Sequence, residues 1–287
     1  MSGTRILVTG ATGNVGRPLV NHLVDGGADV RVAIRARDKD AVRARGPITP
    51  VVFDFEDAGT WAPALKGVRK LFLMRPPALS DVRHYLFPVI DAAKAAGVRH
   101  IVFLSLLGAE KNPFVPHAKV EKYLLQSGVP STILRPSFFM QNLSTTHRED
   151  IREHDEIFVP AGQGKTSFID TRDIAAVAAR TLLKSNHEGR AYDLTGSEAL
   201  DYGEVAALFT EVLRRPIRYA APSAVRFAWR WWRRGQPPAF ILVMTAIYSV
   251  ARLGRADRVT PDTEKLLGRA PISLRQFIHD HRDRWKK

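Results

Sequence analysis

The chain has 287 residues, 45% of them hydrophobic and 25% charged, which are the proportions of a folded globular protein and exclude large-scale disorder. It contains no cysteine, so disulfides and thiolate metal sites are excluded. The formal charge is +14, and residues 218–287 alone hold 15 Lys/Arg against 5 Asp/Glu, so most of the excess lies at the C-terminal end.

Residues 1–4 run straight into an apolar stretch without a basic n-region or a separate hydrophobic core. No secretory leader is therefore expected, and the cytoplasm is the expected compartment. Residues 5–9 form a short β-rich run closed by Gly10. From Gly13 to Gly26 the apolar positions Val15, Leu19, Leu23 and Val24 recur at helical spacing. Residues 30–34, 50–53 and 70–74 read as the second, third and fourth strands. A helix with Val89, Ala92, Ala93 and Ala96 on one face ends at Gly97, a natural C-cap residue. Residues 100–104 and 131–134 give the fifth and sixth strands. After about Asn142 the pattern loosens, with a helix over 173–183 and a short strand over 191–194 reading as returns to the sheet. From about Ser197 onward the chain reads as helical and basic.

Strands alternating with helices make a parallel sheet whose ligands sit at the carboxyl ends of the strands. Between the first strand and first helix stands Thr9-Gly10-Ala11-Thr12-Gly13-Asn14-Val15-Gly16. Glycines there allow a tight turn, close backbone approach to a pyrophosphate and close helix–strand packing, while the helix start offers N–H groups to phosphate. The expected architecture is α/β. A Rossmann doubly wound sheet spans 1–142, with sheet returns near 166–196. A smaller, mostly helical and basic substrate or lid subdomain spans 197–287, and the whole packs as one unit. At the end of the second strand, where an NAD-selective site places Asp or Glu, stand Arg35, Arg37 and Lys39. A guanidinium can pair with a 2′-phosphate that a carboxylate would repel, so NADP(H) is expected over NAD(H).

With Gly10, Gly13 and Gly16 in place, the chain resembles the short-chain dehydrogenase/reductase superfamily in its atypical NmrA-like branch. Asp54, Ser105 and His117-Ala118-Lys119-Val120-Glu121-Lys122 agree with that branch, as do Asp173-Ile174-Ala175 and Leu267-Gly268-Arg269-Ala270-Pro271. The most specific stretch is Ser127-Gly128-Val129-Pro130-Ser131-Thr132-Ile133-Leu134-Arg135-Pro136-Ser137-Phe138-Phe139-Met140-Gln141-Asn142. Ordinary members use a Tyr-x-x-x-Lys pair; here His117 and Glu121 hold that spacing. Isoflavone-reductase-like relatives carry Lys where His117 falls, which implies that the position faces the cofactor. The resemblance implies a reductase, or else a redox-sensing regulator that binds the dinucleotide without turnover.

Pattern and resemblance together give a cofactor-facing set: Gly10, Thr12, Gly13, Asn14, Val15, Arg35, Arg37, Asp54, Phe55, Met74, Arg75, Pro76, Ser105, His117 and Phe138. Three residues are candidates for catalysis. His117 can donate a proton as hydride arrives, Glu121 lies one helical turn on and can orient the imidazole, and Ser105 ends a strand where a hydroxyl can reach substrate. Phe138, Phe139, Met140 and Trp229 are expected to line an apolar substrate pocket. The expected reaction is hydride transfer to an apolar or aromatic ketone, imine, enone or quinone.

No metal site is expected, since the histidines lack ligand spacing. The basic C-terminal region has charge without a reading motif, so no specific nucleic-acid partner is expected. Residues 229–234, Trp-Arg-Trp-Trp-Arg-Arg, precede an uncharged run over 236–251 that is too short for a bilayer span. This segment reads as a lid or core helix, an oligomer interface or a peripheral membrane contact. A monomer and a homodimer are both compatible with the sequence.

Overall fold

The computed structural model describes residues 4–41 and 46–287, without the side chains of 39–41, so the expectation for Lys39 lies outside the described residues. The chain forms two compact units: Met1–Pro136 with Thr171–Leu194, and Ser137–Asp170 with Thr195–Lys287.

The first unit begins with β1 (Arg5–Val8), α1 (Gly16–Asp25), β2 (Asp29–Ile34) and β3 (Ile48–Val52). It continues through α2 (Trp61–Leu65), β4 (Lys70–Met74), α3 (Val82–Tyr85), α4 (Phe87–Ala95), β5 (His100–Leu104), α5 (Pro116–Ser127) and β6 (Ser131–Pro136). The second unit then takes β7 (Phe138–Phe139), α6 (Gln141–Ser144), α7 (Arg148–His154), β8 (Glu156–Ile157) and β9 (Thr166–Ile169). The chain returns to the first unit for α8 (Thr171–Leu183) and β10 (Ala191–Leu194). The remainder of the second unit is β11 (Ala199–Leu200), α9 (Tyr202–Leu213), β12 (Arg218–Tyr219), α10 (Ala224–Arg233), α11 (Pro238–Arg252), α12 (Asp262–Leu267) and α13 (Leu274–Asp280).

Seven parallel strands lie in the order β10-β6-β5-β4-β1-β2-β3. The order reverses between β1 and β4, the switch point where an open α/β sheet has its ligand crevice. Central strands are covered on both faces, so Ile6, Leu7 and Val8 and all five residues of β5 are buried. Pro50 pairs with Val32 on β3, an edge strand, where a missing N–H is tolerated. Leu19, Val20 and Leu23 of α1 are buried, and α1 packs on α8. Gly97 follows α4 with φ +79°, the left-handed conformation expected of its C-cap role.

Two differences from the sequence reading have simple causes. The first helix starts at Gly16 rather than Gly13, because Gly10 takes φ +62° and the Gly13 N–H donates to the Gly10 carbonyl at 3.0 Å, which closes a turn. Of the expected sheet returns, Thr166–Ile169 pairs instead with Phe138–Phe139 and Ala199–Leu200 in a small separate sheet. Strands of two residues, such as Glu156–Ile157 and Arg218–Tyr219, have no period for a sequence to display.

The second unit closes on an aromatic core that includes Phe158, Tyr202, Phe209, Phe227, Trp231, Tyr248 and Trp285. The Tyr248 hydroxyl and the His147 ring share a hydrogen bond at its centre, and the Trp285 indole N–H donates to the Leu143 carbonyl. Among the described residues no helix is long and apolar enough to cross a membrane.

Candidate functional site

The loop between β1 and α1 is built for close backbone approach. A Cβ at Gly16 would lie 2.2 Å from the Gly10 oxygen and 2.6 Å from Ala11 Cα, so only glycine fits where the helix meets the loop. Thr9 fixes the loop to the neighbouring strand: its hydroxyl donates to the Phe72 carbonyl at 3.0 Å and accepts from the Met74 N–H at 2.8 Å. Val15 at the start of α1 makes no side-chain cap; in the first turn the Arg17 N–H donates to the Gly13 carbonyl at 3.1 Å and Pro18 has no N–H, so the helix start would meet a ligand chiefly through its positive dipole end. Thr12 and Asn14 are exposed on the loop, while Val15 is buried beneath it. These features fit a dinucleotide pyrophosphate.

Around this loop stand the ends of β2, β3 and β4. Arg35 follows β2 and is exposed, with its Nε donating to Asp38 at 2.9 Å; Arg37 is exposed beside it. Such an exposed pair holds by about 0–1 kcal/mol, so an incoming phosphate can displace the carboxylate. Asp54 is tied into its own turn, its carboxylate accepting from the Glu56 N–H and its carbonyl from the Trp61 indole. Phe55 turns into the core, edge-on to Phe53. The Met74 side chain covers Gly10: its Cε lies where a Cβ would sit, 1.9 Å away. Arg75 donates through one terminal nitrogen to the carbonyls of Pro76, Pro77 and Leu79, bracing the loop after β4, while its Nε is buried without a partner. Burial holds the Arg75 pKa below its usual value.

His117 occupies the second position of α5, after Pro116, with its ring 6.1 Å from that of Phe103. Its Nδ1 is buried and has no hydrogen-bond partner. Burial first, and the Arg75 charge second, push its pKa down to about 4. The imidazole is therefore neutral near pH 7, with about one ring in a thousand protonated.

Glu121 does not orient His117. Its carboxylate is buried, accepts the Ser105 hydroxyl proton, and takes two Arg135 nitrogens in a fork whose shortest contact is 2.6 Å. Arg135 lies on β6 and also faces Glu110 at 3.7 Å and Asp193 at 3.8 Å. Burial works against its charge, but the Glu121 hydrogen bond and the three carboxylates outweigh it and hold the pKa above the usual value. A forked guanidinium is a stronger partner than an imidazole one turn away, and that decides which way Glu121 points. Ser105, Glu121 and Arg135 thus join the end of β5, the middle of α5 and the end of β6.

Arg135 and Asp38 had no role assigned from the sequence. The signal for Arg135 was a lone cation inside the strand Ser-Thr-Ile-Leu-Arg-Pro, where charge is kept only when paired. For Asp38 it was opposite charge at three-residue spacing from Arg35. The residues expected to line a substrate pocket lie in the second unit. Phe138 and Phe139 form half-buried β7, Phe138 packing on Phe168 and Tyr248. Met140 is buried and borders a small recess with Phe168, Leu200, Ile272 and Leu274. Trp229 is exposed on α10, with the Arg233 guanidinium 4.9 Å above its ring.

The NmrA-like family model matches residues 2–227. The chain is 34% identical over 284 residues to the NAD(P)H azoreductase of Xenophilus azovorans, covering 96% of this chain and 97% of that one. A solved NADPH-dependent quinone oxidoreductase from Escherichia coli, complexed with NADPH, is 29% identical with a TM-score of 0.87, over 97% of this chain and 99% of that one. Nmra, a negative transcriptional regulator solved in complex with NAD, shares the fold at a TM-score of 0.79 and 18% identity, over 98% of this chain and 95% of that one. This chain belongs to the NmrA-like family.

Proposed function

We propose that this protein is a reductase that takes NADPH in preference to NADH and delivers hydride to an apolar or aromatic acceptor, quinones foremost. Similarity to an NAD(P)H azoreductase and to an NADPH-dependent quinone oxidoreductase supports the reductase reading. The loop 10–16 would hold the pyrophosphate and Arg35 and Arg37 the 2′-phosphate, with Asp54, Met74, Arg75 and Pro76 along the crevice. The nicotinamide supplies the hydride when bound.

The choice of acceptor rests on one observation: none of the three candidate catalytic groups holds a proton ready to give. The Ser105 proton is donated to Glu121, the Glu121 carboxylate is paired with Arg135, and His117 is neutral. A ketone or imine must be protonated as hydride arrives, whereas a quinone becomes a stabilised hydroquinone anion that water protonates afterwards. His117, as a neutral N–H donor, and the nearby Arg75 charge can stabilise the oxygen on which negative charge develops. The Ser105–Glu121–Arg135 cluster keeps α5, and hence His117, in place.

A second reading, a regulator that senses NADP(H) without turnover, is favoured by the loss of the Tyr-x-x-x-Lys pair at residues 117 and 121. NADPH oxidation measured against quinones, enones, ketones and imines, with NADPH alone as control, separates the two. Quinone-dependent oxidation is the expected result. Tight NADPH binding with no oxidation by any acceptor would replace the enzyme with the regulator.

A further inference from the structure

Helices α10 and α11 pack together through Phe227, Trp231, Ile241 and Tyr248, which are buried in the second unit's core. Their other sides are apolar as well, and they face solvent. On α11, Ala239, Leu242, Val243, Ala246 and Val250, with Leu253 just beyond the helix, recur at three- and four-residue intervals and are all exposed. Leu242 is 71% exposed and Leu253 68%. On α10, Val225, Trp229 and Trp232 make a second stripe at the same spacing, with Trp232 64% exposed. A single exposed leucine needs no explanation, but two helical stripes of this kind do.

Charge identifies what fits them. Residues 224–256 contain six arginines and no Asp, Glu or Lys. Two of the arginines turn inward and are neutralised: Arg230 by Asp150 and Glu156, Arg234 by Asp150 and Glu149. Arg226, Arg233, Arg252 and Arg255 remain exposed beside the apolar stripes. Against a second copy of this hairpin these cations would face one another with no carboxylate to pair. The 15 residues of α11 extend about 22 Å at about 1.5 Å per residue, less than the roughly 30 Å of a hydrocarbon core, so the helix can lie on a bilayer but not cross it. Tryptophan, leucine and valine bordered by arginine is the composition of an interfacial helix.

We propose that the outer face of α10 and α11 docks on an anionic lipid surface, with Trp232, Leu242 and Leu253 in the headgroup boundary and Arg226, Arg233, Arg252 and Arg255 against lipid phosphates. Cosedimentation of the full chain with phosphatidylcholine vesicles, with and without phosphatidylglycerol, tests this. Partition is expected on the vesicles containing phosphatidylglycerol, with a blue shift of tryptophan emission that Trp232→Ser diminishes. Leu242→Ser should weaken partition about tenfold and Arg233→Ala about fivefold. All three positions are exposed, so unchanged circular dichroism is expected of each variant. Three results would each overturn the proposal. One is no partition on any vesicle. Another is partition that salt abolishes and neither Leu242→Ser nor Trp232→Ser alters, which is charge attraction alone. The last is a concentration-dependent dimer by sedimentation velocity, broken by Leu242→Arg, without vesicle binding. None of these readouts uses NADPH oxidation, so they stand or fall apart from the reductase reading.

Discussion

Replacing Arg135 with methionine should destabilise the protein more than replacing Glu121 with glutamine, although both break the same ion pair. The Glu121 residue is 5% exposed, and its partners are Arg135 and the Ser105 hydroxyl. Without Arg135 a buried carboxylate keeps one neutral donor, a situation that costs about 3–5 kcal/mol. Without the Glu121 charge, Arg135 still faces Glu110 at 3.7 Å and Asp193 at 3.8 Å, and its side chain is 16% exposed, so water and two carboxylates share its charge. The loss is then that of one charged hydrogen bond, about 1.5–3 kcal/mol. Urea unfolding at neutral pH, followed by circular dichroism, measures both. Equal losses, or a larger loss for Glu121→Gln, would refute the assignment of Arg135 as the carboxylate's main partner. A kinetic control accompanies it: Glu121→Gln should leave the pH–rate profile where it is, because burial and Arg75, not Glu121, set the His117 pKa.

Arg35→Ala should weaken NADPH about tenfold to a hundredfold by calorimetry, the value of a charged hydrogen bond of about 1.5–3 kcal/mol, and leave NADH nearly unchanged. Gly16→Ala should abolish binding of either dinucleotide and lower the melting temperature, since the added Cβ meets Gly10 and Ala11 backbone that cannot move aside as a side chain could. With a quinone acceptor, His117→Ala should lower turnover less than tenfold, and the rate should be flat from pH 6 to 8; a loss beyond a hundredfold would make His117 an acid catalyst. Burial holds His100, His117 and His147 down to about 4 from the ordinary 6.5, so between those values the unfolded chain binds more protons than the folded one. Their contribution is complete above about pH 6.5 and lost as pH falls towards 4, about 2 kcal/mol for each fully buried histidine at pH 5. Urea midpoints at pH 7 and pH 5 should differ accordingly, and His147→Gln should shrink the difference.

Much of the first unit was legible because its signals are periodic or conformational. Four apolar residues in a row, Ile101 to Leu104, mark β5 as a central parallel strand, and Gly10 and Gly16 announce a turn no other residue can make. The second unit gave weaker signals. Its strands are two to four residues long, and Thr166–Ile169 reads like any sheet strand until its partners, Phe138–Phe139 and Ala199–Leu200, are known. At the site, helical spacing placed His117 and Glu121 on one side of α5 but could not say where the carboxylate would turn. That was decided by Arg135, a partner 14 residues on and on another element. Arg35 was legible as a cation at the end of β2, but its engagement by Asp38 depends on the local turn.

The Arg135 fork changes what the four-residue pair on α5 means. In a Tyr-x-x-x-Lys site the second residue lowers the pKa of the first, so the pair shares one proton task. Here the second residue is withdrawn into a buried ion pair, and the first is left to burial and, after it, the Arg75 charge. The roles that one pair would have held are thereby divided: Arg135 fixes the helix, while burial, helped by Arg75, keeps the imidazole neutral. Installing the Tyr-x-x-x-Lys pair by combining His117→Tyr with Glu121→Lys would fail for that reason. The introduced ammonium would face the Arg135 guanidinium where the Glu121 carboxylate now lies, a buried like-charge contact with Ser105 as its remaining partner. The fold's tolerance for a proton-donating site is thus limited by β6 as much as by α5, and acceptors that need no proton at the moment of hydride arrival are the ones this arrangement suits.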